Sequence, residues 1–205
     1  MVNKKLLFFL TIILVIFLIA VKFIFFNQKN NLNNFNLPVT NTVRDFNFTN
    51  QDGKIFTPKN MLGKVCVVNY FFTRCRGICP RMNNNMKKVY EVFKGNPNVL
   101  IVSHSCDPEY DSASVLKRYA DSLQVNTQQW IFLTGRKDSL YKIARYSYGI
   151  DDPKNEVKNI DDDFIHTQFF ALVDKNGNVR GTVYDGLNNN EIKRLEKDIN
   201  ELLKE

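Results

Sequence analysis

The chain has 205 residues, of which 44% are hydrophobic and 24% charged, and this composition excludes both a disordered chain and a protein lying wholly within a membrane. At roughly 150 residues per domain, the length fits one domain with an appendage. The formal net charge is +7, but four lysines and no acidic residue lie before residue 30, so the rest of the chain is close to balanced. Without a basic helix or a basic-aromatic pattern, we expect no nucleic-acid binding.

An apolar stretch covers residues 6–26 and contains a single charge, at Lys22. It is about 31 Å long as a helix, which matches the hydrocarbon thickness of a bilayer. Bulky residues follow Ala20 where a signal peptide would have small ones, which favours an uncleaved anchor. Two lysines precede the stretch, so the positive-inside rule places the N-terminus in the cytoplasm. We predict a cytoplasmic tip and a single transmembrane helix over residues 1–26, in the cytoplasmic (inner) membrane, with the soluble domain on the periplasmic or extracytoplasmic side.

Residues 27–43 are rich in asparagine and lack an apolar period, which predicts a flexible linker before a domain at 44–205. A hairpin with its turn at Asp52-Gly53 comes first, and strands then alternate with helices, which favours βαβ crossovers and a largely parallel central sheet. This order fits an α/β, thioredoxin-like sandwich, with a central mixed sheet flanked by helices. The predicted strands are 64–72, 98–103, 130–133, 167–173 and 179–183, and the predicted helices are 80–94, 112–123, 138–148 and 191–203.

Cys75 and Cys79 form a C-x3-C-P element that follows the first long strand and opens a helix. Sites in open α/β sheets gather at the carboxyl ends of strands, and a helix N-terminus stabilises a thiolate there. The two cysteines can therefore close a disulfide or present two thiolates to one metal. A purely structural disulfide is the alternative, but so short a loop gains little stability from being bridged.

His166 directly precedes an apolar strand, and in a thioredoxin-like fold the start of that strand faces the cysteine loop. Two thiolates and one imidazole make a three-ligand set suited to Cu(I), whereas closed zinc sites normally have four ligands. A histidine buried in the core with its polar atoms satisfied is the alternative. The spacing alone leaves both interpretations open.

Further candidates lie on the neighbouring predicted strand and in the core. His104 and Cys106 end that strand, within reach of the cysteine loop; we interpret them as a loop histidine and a half-buried thiol, with an auxiliary site as the alternative. Cys66 alternates into a buried strand and is predicted to be a core residue. The acidic insertion at 151–163 lacks the spacing of an EF-hand loop and is predicted to be a solvated loop.

Several motifs together resemble the Sco/SenC family of membrane-anchored, thioredoxin-fold copper proteins. They are TRCRGICP, SCDPEYD followed by LKRYA, WIFLTGRKDSLYKIARYSYG and DDDFIHTQFFALVDKNGNVRG, and the resemblance covers roughly residues 44–205. It implies that copper binds through Cys75, Cys79 and His166. It also implies copper delivery to, or thiol reduction of, the binuclear copper site of a haem-copper oxidase.

The sequence thus favours a copper metallochaperone whose Cys75 and Cys79 also form a redox pair. Its cargo is expected to be Cu(I), with Cu(II) as the alternative, and its partner an oxidase copper-site subunit or another copper or thiol client. A thiol-disulfide oxidoreductase and a redox or copper sensor stay open as alternative functions, and the sequence gives no oligomeric state.

Overall fold

The protein is known from a computed structural model that describes Phe8, Leu10 and residues 12–23, 37–156, 159–160, 163–165 and 167–205. From residue 37 onward, the described residues form eight strands and four α-helices. The strands are β1 (Val39–Thr42), β2 (Phe48–Asn50), β3 (Ile55–Phe56), β4 (Val65–Phe71), β5 (Val99–Ser105), β6 (Trp130–Thr134), β7 (Phe169–Val173) and β8 (Asn178–Asp185). The helices are α1 (Cys79–Phe93), α2 (Ala113–Leu123), α3 (Lys137–Ile143) and α4 (Asn189–Leu202). A π-helical turn at Ala144–Tyr148 follows α3, and 3-10 turns cover Pro58–Asn60 and Pro153–Asn155.

All eight strands belong to one sheet, in the order β1-β8-β7-β4-β5-β6-β2-β3. Helical crossovers make the β4-β5 and β5-β6 pairs parallel, and the other pairs are antiparallel. The predicted mixed sheet with flanking helices is therefore confirmed, but the expectation of a largely parallel sheet was wrong. The reason is that β7 enters antiparallel beside β4 and continues through a tight turn into β8.

Every side chain of β4 and β5 is buried, as their long β-branched and aromatic runs predict for strands covered on both faces. Two neighbouring residues of β4 contact helices on opposite faces of the sheet. The Tyr70 hydroxyl donates to the Leu140 carbonyl of α3 at 2.8 Å, whereas the Phe71 ring stacks on Tyr119 of α2 with 5.1 Å between centroids. Successive strand residues point to opposite faces, so helices lie on both sides of the sheet.

The N-terminal edge of the sheet lies partly in the range predicted as linker. A compact unit spans Leu37–Glu205, and β1 pairs antiparallel with β8. The four side chains of β1 are all exposed, so hydrogen bonds of the main chain and of its polar side chains, rather than burial, hold this strand in place. The compact unit therefore begins several residues before the predicted boundary at 44. The predicted hairpin at Asp52-Gly53 is confirmed by the β2-β3 pairing.

Helix α1 lies close to its predicted bounds and is followed by Gly95, whose φ of 80° suits a residue without a side chain. Cys66, predicted to be a core residue, is fully buried in β4.

The predicted helix at 138–148 divides into α3 and the π-helical turn, which ends at Gly149 with a φ of 63°. A π-helical turn often occurs near a functional site.

The predicted anchor at residues 6–26 lies only partly within the described residues. Residues 12–23 are helical, and the apolar side chains from Ile12 to Ile19 are exposed. Within the described part of the chain, no helix has both the length and the apolar character needed to cross a membrane. Both ends of the predicted anchor, and most of the predicted linker, lie outside the described residues.

Candidate metal centre

The two cysteines of the C-x3-C-P element lie where β4 leads into α1. Cys75 is partly exposed in the connecting loop, and its backbone N–H donates to the Phe72 carbonyl at 3.2 Å. Cys79 is the first residue of α1 and is 5% exposed. Both are free thiols within hydrogen-bonding reach of each other. Two sulfurs this close can close a disulfide or share one soft metal ion.

The electrostatic environments of these thiols differ. Partial burial raises the pKa of Cys75, but hydrogen bonds from the Cys79 thiol and from the backbone N–H groups of Cys79, Gly77 and Ile78 outweigh it, and the net result is a lowered pKa. Deeper burial, followed by the bond to Cys75, raises the pKa of Cys79 to about 12. The pair therefore consists of one accessible thiol that ionises readily and one buried thiol that does not.

Cys106 lies at the same edge of the sheet. Its backbone N–H donates to the Phe71 carbonyl at 2.7 Å, and its carbonyl accepts from the Tyr141 hydroxyl at 2.7 Å. Burial raises its pKa well above the ordinary value, and negative charge on Cys79 or Cys75 adds to the increase. Cys106 was predicted to be half-buried, but it is only 2% exposed, because it belongs to the hydrophobic core cluster.

His104 lies in a different environment from the one predicted. It belongs to strand β5 rather than to a loop, and it is fully buried. Its ring stacks on Tyr70 with 4.8 Å between centroids and lies within 6 Å of Phe46, Phe48 and Tyr148. Neither ring nitrogen has a hydrogen-bond partner among the described residues. This aromatic cage places His104 in the core, and the alternative of an auxiliary site with Cys106 stays a prediction.

The acidic insertion at 151–163 was predicted to be a solvated loop. That prediction is wrong at Asp163, which is buried and paired. Asp163, with 4% of its side chain exposed, accepts two bonds from the Arg145 guanidinium at 2.6 and 2.9 Å. Arg145 lies in the π-helical turn, and its Nε donates to Asp151 at 2.8 Å. A bidentate pair of this kind fixes the loop where a single exposed acid would not.

The predicted third ligand, His166, lies outside the described residues. Its described neighbours Ile165 and Thr167 are both buried, and the Thr167 hydroxyl donates to the Ile150 carbonyl at 3.1 Å. Among the described residues, no three Cys, His, Asp or Glu side chains are grouped closely enough to hold a metal ion.

Polar residues around the cysteine loop were not singled out from the sequence. Arg74 pairs with Asp107 at 2.6 Å, and its guanidinium lies 4.1 Å from the centroid of the exposed Tyr110 ring. Asp111 accepts hydrogen bonds from Thr73. The acidic residues of the SCDPEYD segment, which precede a helix, could have drawn attention to this region. Their spacing alone does not predict that they fold back onto the cysteine loop.

Comparison with known proteins identifies the family of this chain. The family model described as SCO1/SenC matches residues 36–204, which include every strand and helix of the compact unit. The chain belongs to the SCO1/SenC family. It is 31% identical over 166 residues to the SCO1 protein homolog of Bacillus subtilis (strain 168), covering 79% of this chain and 83% of that protein. The resemblance inferred from the motifs is thereby confirmed.

Solved structures of Sco proteins share the fold. A SCO1/SenC family lipoprotein from Bacillus anthracis str. Ames is 32% identical with a TM-score of 0.69, over 81% of this chain and 97% of that one. BsSco, described as a member of the Sco family of cytochrome c oxidase assembly proteins with a disulfide switch, is 30% identical with a TM-score of 0.67, over 80% and 95% of the two chains. The thioredoxin-like sandwich expected from the sequence is the fold of this family.

Proposed function

We propose that this Sco protein is a copper metallochaperone that binds Cu(I) through Cys75, Cys79 and His166. The observation that carries the proposal is the contact between the two thiols, since it places two soft donors where one ion can reach both. Copper is the cargo here, and the easily ionised Cys75 supplies the thiolate that such a metal prefers.

The proposed client is the copper-site subunit of a haem-copper oxidase. BsSco is described as belonging to a family of cytochrome c oxidase assembly proteins, and the same family assignment holds for this chain. Transfer would proceed by ligand exchange, in which client thiols replace Cys75 and Cys79 one at a time. The partly exposed Cys75 is the ligand that a client can approach first.

We further propose that residues 1–26 anchor the protein in the cytoplasmic membrane and that the domain lies on the extracytoplasmic side. The support is the apolar stretch with its preceding lysines. The full-length protein should stay with the membrane after an alkaline carbonate wash, and a C-terminal tag should be reached by protease from the extracytoplasmic side. Release of a soluble species that begins after residue 20 would contradict this topology.

A thiol-disulfide oxidoreductase is the second candidate, and the opposite pKa shifts of the two thiols favour it. A reductase needs an accessible, ionised thiol to attack a client disulfide and a second thiol to resolve the mixed disulfide. Cys75 fits the attacking role and Cys79 the resolving role.

Anaerobic copper titration of the reduced full-length protein in detergent tests the metallochaperone. One Cu(I) should bind, with X-ray absorption showing two sulfur ligands and one nitrogen ligand. Cys75→Ser, Cys79→Ser and His166→Ala should each weaken binding by at least about 100-fold, because a two-ligand site remains. Cys66→Ala is the control, since that thiol is buried in β4 and should affect stability alone. Unchanged affinity in His166→Ala would remove the histidine from the proposed ligand set.

A further inference from the structure

Asp111 is a fully buried acid beside the cysteine loop. Its side chain accepts three hydrogen bonds, from the Thr73 backbone N–H at 3.2 Å, the Thr73 hydroxyl at 2.5 Å and the Ser105 hydroxyl at 2.6 Å. No Lys, Arg or His pairs with it among the described residues. All three partners can donate to the two carboxyl oxygens, so both oxygens have hydrogen-bond partners without a cation.

The carboxylate joins two chain segments that end at the candidate centre. Thr73 lies two residues before Cys75, in the loop after β4, and Ser105 is the last residue of β5. Ser105 also accepts from the Asp107 backbone N–H at 2.9 Å, and Asp107 in turn pairs with Arg74. The two residues that precede Cys75 are therefore both held from the loop after β5, one by Asp111 and one by Asp107.

This anchoring has a substantial energetic cost. Burying a polar side chain away from water is expensive, and its three hydrogen bonds offset that cost. The hydrogen bonds of Asp111 fix the path of the chain into the C-x3-C turn. In that turn, the Cys75 sulfur accepts hydrogen bonds from the backbone N–H groups of Gly77, Ile78 and Cys79. Those contacts stabilise the reduced pair, and they depend on where the loop enters the turn.

We propose that Asp111 is a positioning residue that holds the reduced Cys75–Cys79 pair in its present geometry and so sets the redox equilibrium of the pair. The proposal rests on the reactive role given to these thiols under the proposed function. The reaction is exchange with oxidised glutathione. The two cysteine thiols give up two protons and two electrons, a Cys75–Cys79 disulfide forms, the glutathione disulfide breaks, and two glutathione thiols are released.

Equilibration of the full-length protein with glutathione buffers, followed by trapping of free thiols, tests the proposal. In Asp111→Ala the reduced geometry loses its anchor, and the equilibrium should move about tenfold towards the disulfide, a change of about −30 mV for a two-electron couple. Asp111→Asn should recover most of this shift. Its amide oxygen can accept from the Thr73 N–H, and the Thr73 hydroxyl can turn to accept from the amide nitrogen.

Asp174→Ala is the matched control. Asp174 is a buried acid that organises the turn between β7 and β8, accepting from the backbone N–H groups of Asn176 and Asn178 at 2.9 Å each. Its loss should lower the melting temperature and leave the equilibrium with glutathione unchanged. A shift in Asp111→Ala no larger than in this control would overturn the proposal. An Asp111→Asn variant shifted as far as Asp111→Ala would also overturn it, because charge rather than position would then be responsible.

A milder variant covers the case in which Asp111→Ala does not fold. Thr73→Val removes one donor and keeps the bond from the Thr73 backbone, so it should shift the equilibrium in the same direction by about threefold. An unshifted equilibrium in Thr73→Val would count against the proposal. None of these measurements involves copper, so they stand apart from the copper titration. Failure of His166→Ala to weaken copper binding would contradict the proposed ligand set and leave the role of Asp111 to be judged on the glutathione equilibrium.

Discussion

The thiols of Cys75 and Cys79 share a hydrogen bond, and their pKa values move in opposite directions. Cys79 is buried at the start of α1, so its neutral form donates the bond, and the sulfur of Cys75 receives that bond together with three from backbone N–H groups. The interaction therefore leaves Cys75 as the more readily ionised thiol and Cys79 as the protonated one. This division is the arrangement that thiol exchange requires, and it also supplies the first thiolate for a metal.

The first prediction is that Cys75 reacts before Cys79. With iodoacetamide at pH 7.5, followed by mass spectrometry, Cys75 should be modified at least about tenfold faster, because only the thiolate attacks. Cys66 and Cys106 are internal controls, since burial raises the pKa of both and they should stay unmodified in the folded protein. In Cys79→Ala the rate profile of Cys75 should move to higher pH, because the bond from the Cys79 thiol is gone. Earlier labelling of Cys79 would reverse the assignment of roles.

The second prediction concerns the imidazole of His104, whose two nitrogens have no hydrogen-bond partner among the described residues. Burial lowers its pKa from 6.5 to about 3, so the folded protein resists protonation that the unfolded chain accepts. Stability should therefore be complete above about pH 6.5 and fall as the pH drops towards 3, with a loss of about 2 kcal/mol at pH 5. His104→Leu should remove this dependence and raise the free energy of unfolding at pH 7 by about 1 kcal/mol, because two buried polar atoms without partners disappear.

Urea unfolding at pH 7 and pH 5 measures both effects. Tyr70→Phe is the control within the same aromatic cage, since it deletes a hydroxyl that does have a partner, the Leu140 carbonyl. It should destabilise the protein by about 1 kcal/mol at both pH values. A His104→Leu variant that keeps the wild-type loss of stability at pH 5 would show that His104 is not the group responsible.

His104 also illustrates which parts of the structure the sequence could predict. Long apolar runs predicted β4 and β5, because a strand that is buried on both faces has a nearly continuous apolar sequence. The polar residues at the end of β5 looked like a loop, but Ser103 bonds to Asn69 and to Trp130 on one face while His104 lies against Tyr70 on the other. Such partners come from distant parts of the chain, and no local pattern contains them.

Strand β1 and Asp111 were missed for related reasons. All four side chains of β1 are exposed and hydrogen bonds hold the strand against β8, so hydrophobic periodicity gives no signal there. Asp111 is a single acid in a polar segment, and its burial follows from the turn that brings it against Thr73. The position of the cysteine pair at a strand end, by contrast, was predictable because it depends on local spacing.

The third prediction tests the buried ion pair of the acidic insertion. Arg145→Met would leave Asp163 and Asp151 without their cation, and loss of one partner from a buried pair costs about 3–5 kcal/mol. Arg136→Met is the matched control, since its pair with Asp138 is largely exposed and should contribute less than about 1 kcal/mol. Chemical denaturation of both variants gives the comparison. Equal losses would mean that the pair with Asp163 contributes no more than a surface pair.

The last prediction separates the metallochaperone from the reductase. Thiol exchange needs an ionised thiol and an accessible partner sulfur, whereas copper transfer needs all three proposed ligands. His166→Ala should therefore abolish copper loading of the oxidase in cells, while its Cys75 and Cys79 still exchange with glutathione at a rate within about twofold of the wild type. Cys75→Ser is the control that should lose both activities. If His166→Ala cells instead keep most of their oxidase activity, and the wild-type protein reduces a client disulfide catalytically without copper, the reductase explains the function and the histidine has no part in it.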